Sequence, residues 1–329
     1  MKFNLRQEDP LNILSSTRSV VENLRHLKIH PDKIQKVSSI VENKLEKGLD
    51  MVETHFGKAD NLSETMQLIF MEDSVNFCFW AEKDKPKWKV EFPEGNISTG
   101  GWYGLSICFQ RALKEKIPIL DVDYLINLNL TRIRHLFRGI NGVEIPLIQK
   151  RMDNLKQAGE ILKKKYNSQF INVVEHAKYN AINLVRLLVR DFPSFKDIAR
   201  WNGRKIYFLK RAQICAQDIS YIKEKDDNFS LRKVNLLSAF ADYKIPQMLR
   251  KYEVISYNKK LAEKVDNYVL IPAGSEEEIE IRSATIWCIE LIRKRIKKYT
   301  AGDIDNALWL ISQEQKNIKP YHRTYTIFY

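Results

Sequence analysis

Asp242 lies in Ser238-Ala239-Phe240-Ala241-Asp242-Tyr243-Lys244-Ile245-Pro246-Gln247, a lone carboxylate in an apolar run that a proline follows. Apolar surroundings penalise the charged form of an acid. The group must therefore find donors or a cation, or hold its proton to high pH. Acids so placed concentrate at active sites. The same spacing suits a helix N-cap: Asp242 can accept from the amides of a helix that starts near Tyr243 and carries Pro246 in its first turn. Residue types alone leave both readings open.

Other chemistry-bearing residues are spread more thinly. Lys210, Gln213 and Gln217 recur at i, i+3 and i+7 on one face of a helix, either a wet face or a polar strip lining a cleft. Arg211, about a hundred degrees round that helix, is expected to face solvent or an acidic neighbour. Glu280, Arg282 and Glu290 read equally well as surface ion pairs. Cys78, Cys108, Cys215 and Cys288 are scattered among large apolar residues, without zinc spacing or a disulfide framework, so buried reduced thiols are expected. No glycine-rich phosphate loop, metal-binding His pair or Gly-x-Ser-x-Gly elbow appears, and neither metal nor cofactor is expected.

The elements that must position these groups read as helices nearly throughout, an all-α chain with minor β. Val174, Ala177, Ala181, Leu184, Val185 and Leu188 predict one helix ending before Phe192-Pro193. Leu209, Ala212, Ala216 and Ile219 predict the next, and Ile286, Ile289, Ile292 and Ile296 a third over about 284–298. Period-two alternation is confined to Trp88–Phe92 and Tyr325–Phe328. The 329 residues exceed the usual single-domain size. The expected division is an N-terminal segment 1–45 and two helical halves, 46–195 and 196–329, with the active site between the halves. Asp191 to Lys205, with Pro193 and Asn202-Gly203, is the candidate seam.

Apolar runs such as Ile286–Ile292 are too short to cross a bilayer, and the N-terminus lacks the apolar core of a secretory signal. Cytoplasm is the expectation, with the nucleus the alternative. Fifty-four Lys and Arg against 41 Asp and Glu leave a charge of +13, which favours anionic partners without naming one. Runs such as Lys163-Lys164-Lys165 and Arg293–Lys298 fit helix C-termini.

Several blocks together resemble the queuosine salvage proteins: Phe240–Gln247, Leu209-Lys210-Arg211-Ala212-Gln213-Ile214, Asn76-Phe77-Cys78-Phe79-Trp80, Glu280-Ile281-Arg282, Trp287–Ile292, Leu308-Trp309, and His322-Arg323-Thr324 through Phe328-Tyr329. They keep their order from about residue 50 to the C-terminus. The resemblance implies an all-α fold like that of helix-hairpin-helix DNA glycosylases and hydrolysis of queuosine 5'-monophosphate to release queuine. Neither a stable nucleic-acid complex nor a membrane is implied. Asp242 would stabilise an oxocarbenium-like ribose or align water, and Phe240 would stack on the base. Tyr243 would pack or donate its hydroxyl, while Asp305 and Trp309, four residues apart on a helix, would hold the base. His55 would come from the N-terminal half, and Asp303 would cap the last helix.

Lys210 with Gln213 would meet the phosphate, with Arg282 or Arg323 the alternatives, and His322 and Arg323 could instead anchor the tail. Where the family often has an acid after Leu-Trp, this chain has Leu310. A nucleic-acid base glycosylase and a non-catalytic helical module are the rival readings; Arg138–Val143 is the one faintly hairpin-like stretch.

Overall fold

The computed structural model describes residues 3, 8–49, 59, 61–98, 100–224 and 228–329. Helix dominates them. In chain order the α-helices are α1 (Ile13–Val21), α2 (Ile34–Glu46), α3 (Leu62–Ser74), α4 (Gly101–Lys114), α5 (Val122–Ile126), α6 (Leu130–Leu136) and α7 (Ile148–Lys165). There follow α8 (Ile171–His176), α9 (Ala181–Asp191), α10 (Lys210–Ser220), α11 (Lys244–Lys251), α12 (Lys259–Asp266), α13 (Glu276–Arg295) and α14 (Ala301–Glu314). Two antiparallel ribbons join them: β1 (Leu27–Ile29) with β4 (Ile255–Tyr257), and β2 (Ile198–Trp201) with β3 (Arg204–Tyr207).

These strands are not where alternation placed them. Trp88–Phe92 contributes only a single bridge, Glu91 to Ile97, and Tyr325–Phe328 forms no strand. Strands of three or four residues are too short to display a period of two. The hairpin β2–β3 turns instead on Asn202-Gly203, both at positive φ, 47° and 75°. That pair is the favoured chemistry for a two-residue turn, and it lies within the stretch expected as a seam.

The helix predicted across Val174–Leu188 is two helices. Lys178 and Tyr179 take left-handed conformations with φ 55° and 50°, and Asn180 starts α9 by accepting from the amides of Ile182 and Asn183. The local competition of an Asn side chain for backbone amides outweighs the apolar period there.

α13 starts at Glu276, capped by Ser275, eight residues before the expected start at about 284. Thr17 of α1 accepts from Trp287 Nε1 at 3.1 Å, α1 and α2 pack on α13, and α14 packs on α2 and α13. Enclosed on most sides, α13 has little wet face to print a period of 3.6. Glu280, Arg282 and Glu290 are therefore not surface pairs: they are 0, 2 and 2 % exposed. The four cysteines are buried and free. No helix among the described residues is long and apolar enough to cross a membrane.

Candidate active site

One cavity gathers a face of α10 from Lys210 to Asp218, the extended segment before α11, α14 from its second turn onward and the loop after α3. The C-terminal tail closes it. Asp242, Asp305, Lys210 and Asp218 line it, with Phe77, Phe79, Phe240, Tyr243, Trp309 and Tyr321 as aromatic wall.

Asp242 is part-buried, and both cap and cavity claim it. Its Oδ1 accepts from the amides of Lys244 and Ile245 at 2.8 and 2.9 Å. These are orphan donors of α11's first turn, so the cap is real. Among the described residues no hydrogen bond falls on Oδ2, which leaves that oxygen to the cavity the residue lines. Burial pushes the Asp242 carboxyl above its usual range, opposed first by the positive charge of Lys210 and then by the two amides.

Asp305 sits in the second turn of α14. That helix starts with a capping box, in which Thr300 Oγ1 accepts from the Asp303 amide at 3.1 Å and Asp303 Oδ2 from the Thr300 amide at 2.9 Å. Asp303 is thus spent as the N3 partner of the Thr300 cap, and Asp305 is left for another task. Its Oδ2 accepts from the Phe240 amide at 2.9 Å, tying α14 to the segment that carries Asp242. Burial, then the charge of Asp242, holds Asp305 well above the usual carboxylate range.

Lys210 opens α10 and is 5 % exposed. Burial lowers its ammonium's pKa, against Asp242, Asp73 and Asp305, which favour the charged form. Asp218, two turns along, is raised well above its ordinary value by burial and by the charges of Asp73 and Glu72, with Lys210 opposing. Lys210 is thus a cation among four acidic side chains, Asp73, Asp218, Asp242 and Asp305.

Buried arginines hold these groups in place. Arg282 grips Asp197 bidentately, 3.0 Å to Oδ1 and 2.6 Å to Oδ2, and donates from Nε to the carbonyl of Ala241 at 3.1 Å. The same Asp197 Oδ2 accepts from the Lys210 amide at 3.1 Å. One ion pair therefore fixes both the residue before Asp242 and the start of α10. Arg211 donates to the α3 carbonyls of Asp73 and Ser74 at 3.0 and 2.6 Å, and lies 5.2 Å from the Phe77 ring centroid. It does not face solvent: an open C-terminal turn of α3 needs donors, and a guanidinium supplies several at once. Arg151 stacks over the same ring at 4.4 Å and donates to the carbonyls of Phe77 and Cys78 at 2.5 and 3.1 Å. The cavity wall at residues 76–79 is built on these two arginines.

The tail is anchored from inside. The Cys78 amide donates to the Tyr329 carbonyl at 2.9 Å, and buried His322 Nε2 lies 3.3 Å from Tyr329 Oη. Burial holds the His322 imidazole down to about 3, so it is neutral near pH 7.

A profile of the queuosine salvage protein family matches residues 54–329. The chain belongs to that family. Among similar proteins, the queuosine 5'-phosphate N-glycosylase/hydrolase of Sphaerobacter thermophilus is 33 % identical over 327 residues, 98 % of each chain. The protein of that name from Mus musculus is 30 % identical over 339 residues, covering 97 % of this chain and 99 % of its own. That from Bos taurus is 33 % identical over 276 residues, covering 79 and 80 %.

Within this queuosine salvage family member, the cavity brings together Asp242, Phe240, Tyr243, Asp305, Trp309 and Lys210. Gln213 is not among its lining residues. Its Oε1 accepts from the Ser238 amide at 2.8 Å and its Nε2 donates to the Phe208 carbonyl at 3.0 Å, so its amide is used in joining α10 to the Asp242 segment. The reading of Gln213 as a phosphate ligand is corrected accordingly: this amide is polar because it satisfies buried backbone. Arg282 is likewise withdrawn as a phosphate alternative, since Asp197 and the Ala241 carbonyl engage its guanidinium. His55 lies outside the described residues. Leu310 is not a lining residue; Gln313, one turn beyond Trp309, lines the cavity.

Sequence reasoning passed over Asp218, Lys87, Lys244, Tyr321 and Tyr329 as lining residues. Lys244 stands inside the Phe240–Gln247 block, and Tyr329 inside the C-terminal one, so the family blocks already carried that signal. Lys87 carried none, being one lysine in an exposed lysine-rich stretch.

Proposed function

We propose that this protein hydrolyses the N-glycosidic bond of queuosine 5'-monophosphate, releasing queuine and ribose 5-phosphate for queuine salvage. The observation that carries the reading is the pairing of two acids with unlike surroundings, part-buried Asp242 and buried Asp305, in one aromatic-walled cavity. Burial raises both, and Lys210 opposes in both; Asp242 has two amides besides to favour its charge, whereas Asp305 has one amide in its favour and the charge of Asp242 against it, which holds it well above the usual range. Acids driven apart in this way take opposite parts in catalysis.

As the bond from ribose C1' to the base nitrogen breaks, positive charge grows on the ribose, and the Asp242 carboxylate stabilises it. Water adds to C1' and gives up a proton, and the departing base takes one up. Queuine is a deazaguanine, so the ring nitrogen that purine hydrolases often protonate is a carbon. Asp305, holding its proton to unusually high pH, supplies a donor to another acceptor on the base. Phe240 and Trp309 offer ring faces to the heterocycle. Lys210 is the counter-ion that keeps Asp242 ionised in a dry site. Four buried thiols suit a reducing compartment, so a cytoplasmic setting, or a nuclear one, belongs to the same proposal.

Incubating the purified protein with queuosine 5'-monophosphate and quantifying free queuine by chromatography tests the reading. Stoichiometric queuine and ribose 5-phosphate are expected. Stabilisation by single-stranded DNA with no queuine released would favour a nucleic-acid glycosylase, and neither effect would leave Asp242 a cap.

A further inference from the structure

Away from the cavity, the first turns of α13 meet the segment that leads into β1. Glu276 and Glu280 stand four residues apart, so their carboxylates project from one face of the helix. His26, the residue before β1, brings its imidazole to the same place. One ring nitrogen and one oxygen from each carboxylate all lie within 4.8 Å of one another. His26 and Glu280 are 254 positions apart in the chain, so no ligand spacing shows in the sequence.

The other acids of α13 set these groups apart. Lys264 pairs with Glu277, Arg282 with Glu278 and Arg293 with Glu290. Glu280 is fully buried, and among the described residues no Lys or Arg forms an ion pair with it. Its oxygens accept from the amide of Arg25 at 3.0 and 3.1 Å and from that of His26 at 2.8 Å, bonds that aim the carboxylate without neutralising it. Burial raises its pKa and the charge of Glu276 adds to the rise, while these amides and His26 oppose. Like charges four residues apart on a helix repel.

His26 carries the complementary deficit. Its Nε2 lies 3.5 Å from Glu276 Oε2, and its Nδ1 is buried with no hydrogen-bond partner among the described residues. A neutral imidazole donates from one nitrogen only, so a proton on Nε2 directed at Glu276 leaves a buried lone pair on Nδ1. A divalent cation answers both needs, because it accepts an imidazole lone pair and offsets two neighbouring carboxylates. Arg25 competes for Glu276 at 3.4 Å, but its side chain is 70 % exposed and an exposed pair of this kind is weak.

We infer that His26, Glu276 and Glu280 form a site for one divalent transition cation of the zinc type, which clasps the segment before β1 to α13. One imidazole with two carboxylates suits such an ion better than the all-oxygen sets preferred by Mg2+ and Ca2+. Three protein ligands leave a position for water on the side where His26 and Glu276 are partly exposed. The amides that hold Glu280 fix its orientation from outside, as partners of a metal ligand do. None of the three residues lines the catalytic cavity, so the clasp acts on stability and is independent of the hydrolase reading.

Calorimetric titration of the full-length protein with ZnCl2 after dialysis against EDTA, with Tm followed in parallel, tests the site in wild type, His26→Gln, Glu276→Gln and Arg25→Ala. Wild type should take up one Zn2+, and its Tm should rise with Zn2+ concentration, as for any ligand of the folded state alone. Loss of an outer-shell partner alone weakens a metal site by about tenfold or more, so His26→Gln and Glu276→Gln should each weaken binding at least that far and shrink the rise in Tm. Arg25→Ala, which removes the competing cation and no ligand, should bind at least as tightly as wild type. No uptake by wild type, uptake of equal affinity in His26→Gln and Glu276→Gln, or binding lost in Arg25→Ala would overturn the inference.

Discussion

At the residue scale, Asp242 shows that a cap and a catalytic carboxylate can be the same group. One oxygen is spent on the amides of Lys244 and Ile245, and these bonds fix the carboxyl plane while the other oxygen meets the cavity. Its pH behaviour follows from the causes of its shift. The active form is the carboxylate, so turnover falls as pH drops through the raised pKa, and the acid limb lies above the ordinary value of 3.8. On the alkaline side, turnover falls as Lys210 loses its proton below its ordinary 10.5. Lys210→Met removes the main influence that lowers the Asp242 pKa. The acid limb of kcat/KM should then move to higher pH; a limb that stays in place while the rate falls would assign Lys210 another task.

At the element scale, the pair Asp197–Arg282 does the positioning, holding α10, α13 and the Asp242 segment at one point. Removing one partner leaves a buried charge uncompensated. Arg282→Ala should therefore cost about 3–5 kcal/mol in chemical denaturation. Arg18→Ala, which breaks the exposed Arg18–Glu22 pair in α1, should cost at most about 0.5 kcal/mol. Similar losses for the two would mean that solvent or another donor reaches Asp197.

The sequence made some of this legible and concealed the rest for physical reasons. α10 shows a clean apolar stripe because one side packs on α3 and α9 while the other is polar. α13 hides its buried acids and arginine because burial on most sides erases the contrast between faces. The break at Lys178–Asn180 depends on left-handed backbone and a side-chain cap, which a hydrophobic period cannot register. Asp242, Phe240 and Asp305 were accessible through local motif and family resemblance. Lys87 was not, since its place beside Lys244 depends on a fold that joins positions far apart in the chain.

At the scale of the whole molecule, the acids behind the cavity should make stability depend on pH. Burial, the largest cause, raises Asp73 from 3.8 to about 7, and Glu72 and Asp218 are also held well above their ordinary values. Between those limits the folded state binds a proton at Asp73 that the unfolded state releases. This group's contribution is thus fully present below about pH 3.8 and is lost as pH rises towards 7. Asp191, held low first by its bond with Arg190, contributes the opposite slope only at more acid pH. Asp73→Asn should flatten the decline of Tm between pH 4 and 7, and an unchanged slope would place that proton elsewhere.

The most direct test of the account is queuine release by wild type and Asp242→Asn under single-turnover conditions, with Tm measured alongside. Asn keeps the shape and a capping oxygen while removing the charge. Release should slow by about a hundredfold or more without a fall in Tm, because the removed charge was disfavoured by burial. Wild-type release rates in Asp242→Asn would contradict the account and leave Asp242 solely the cap of α11.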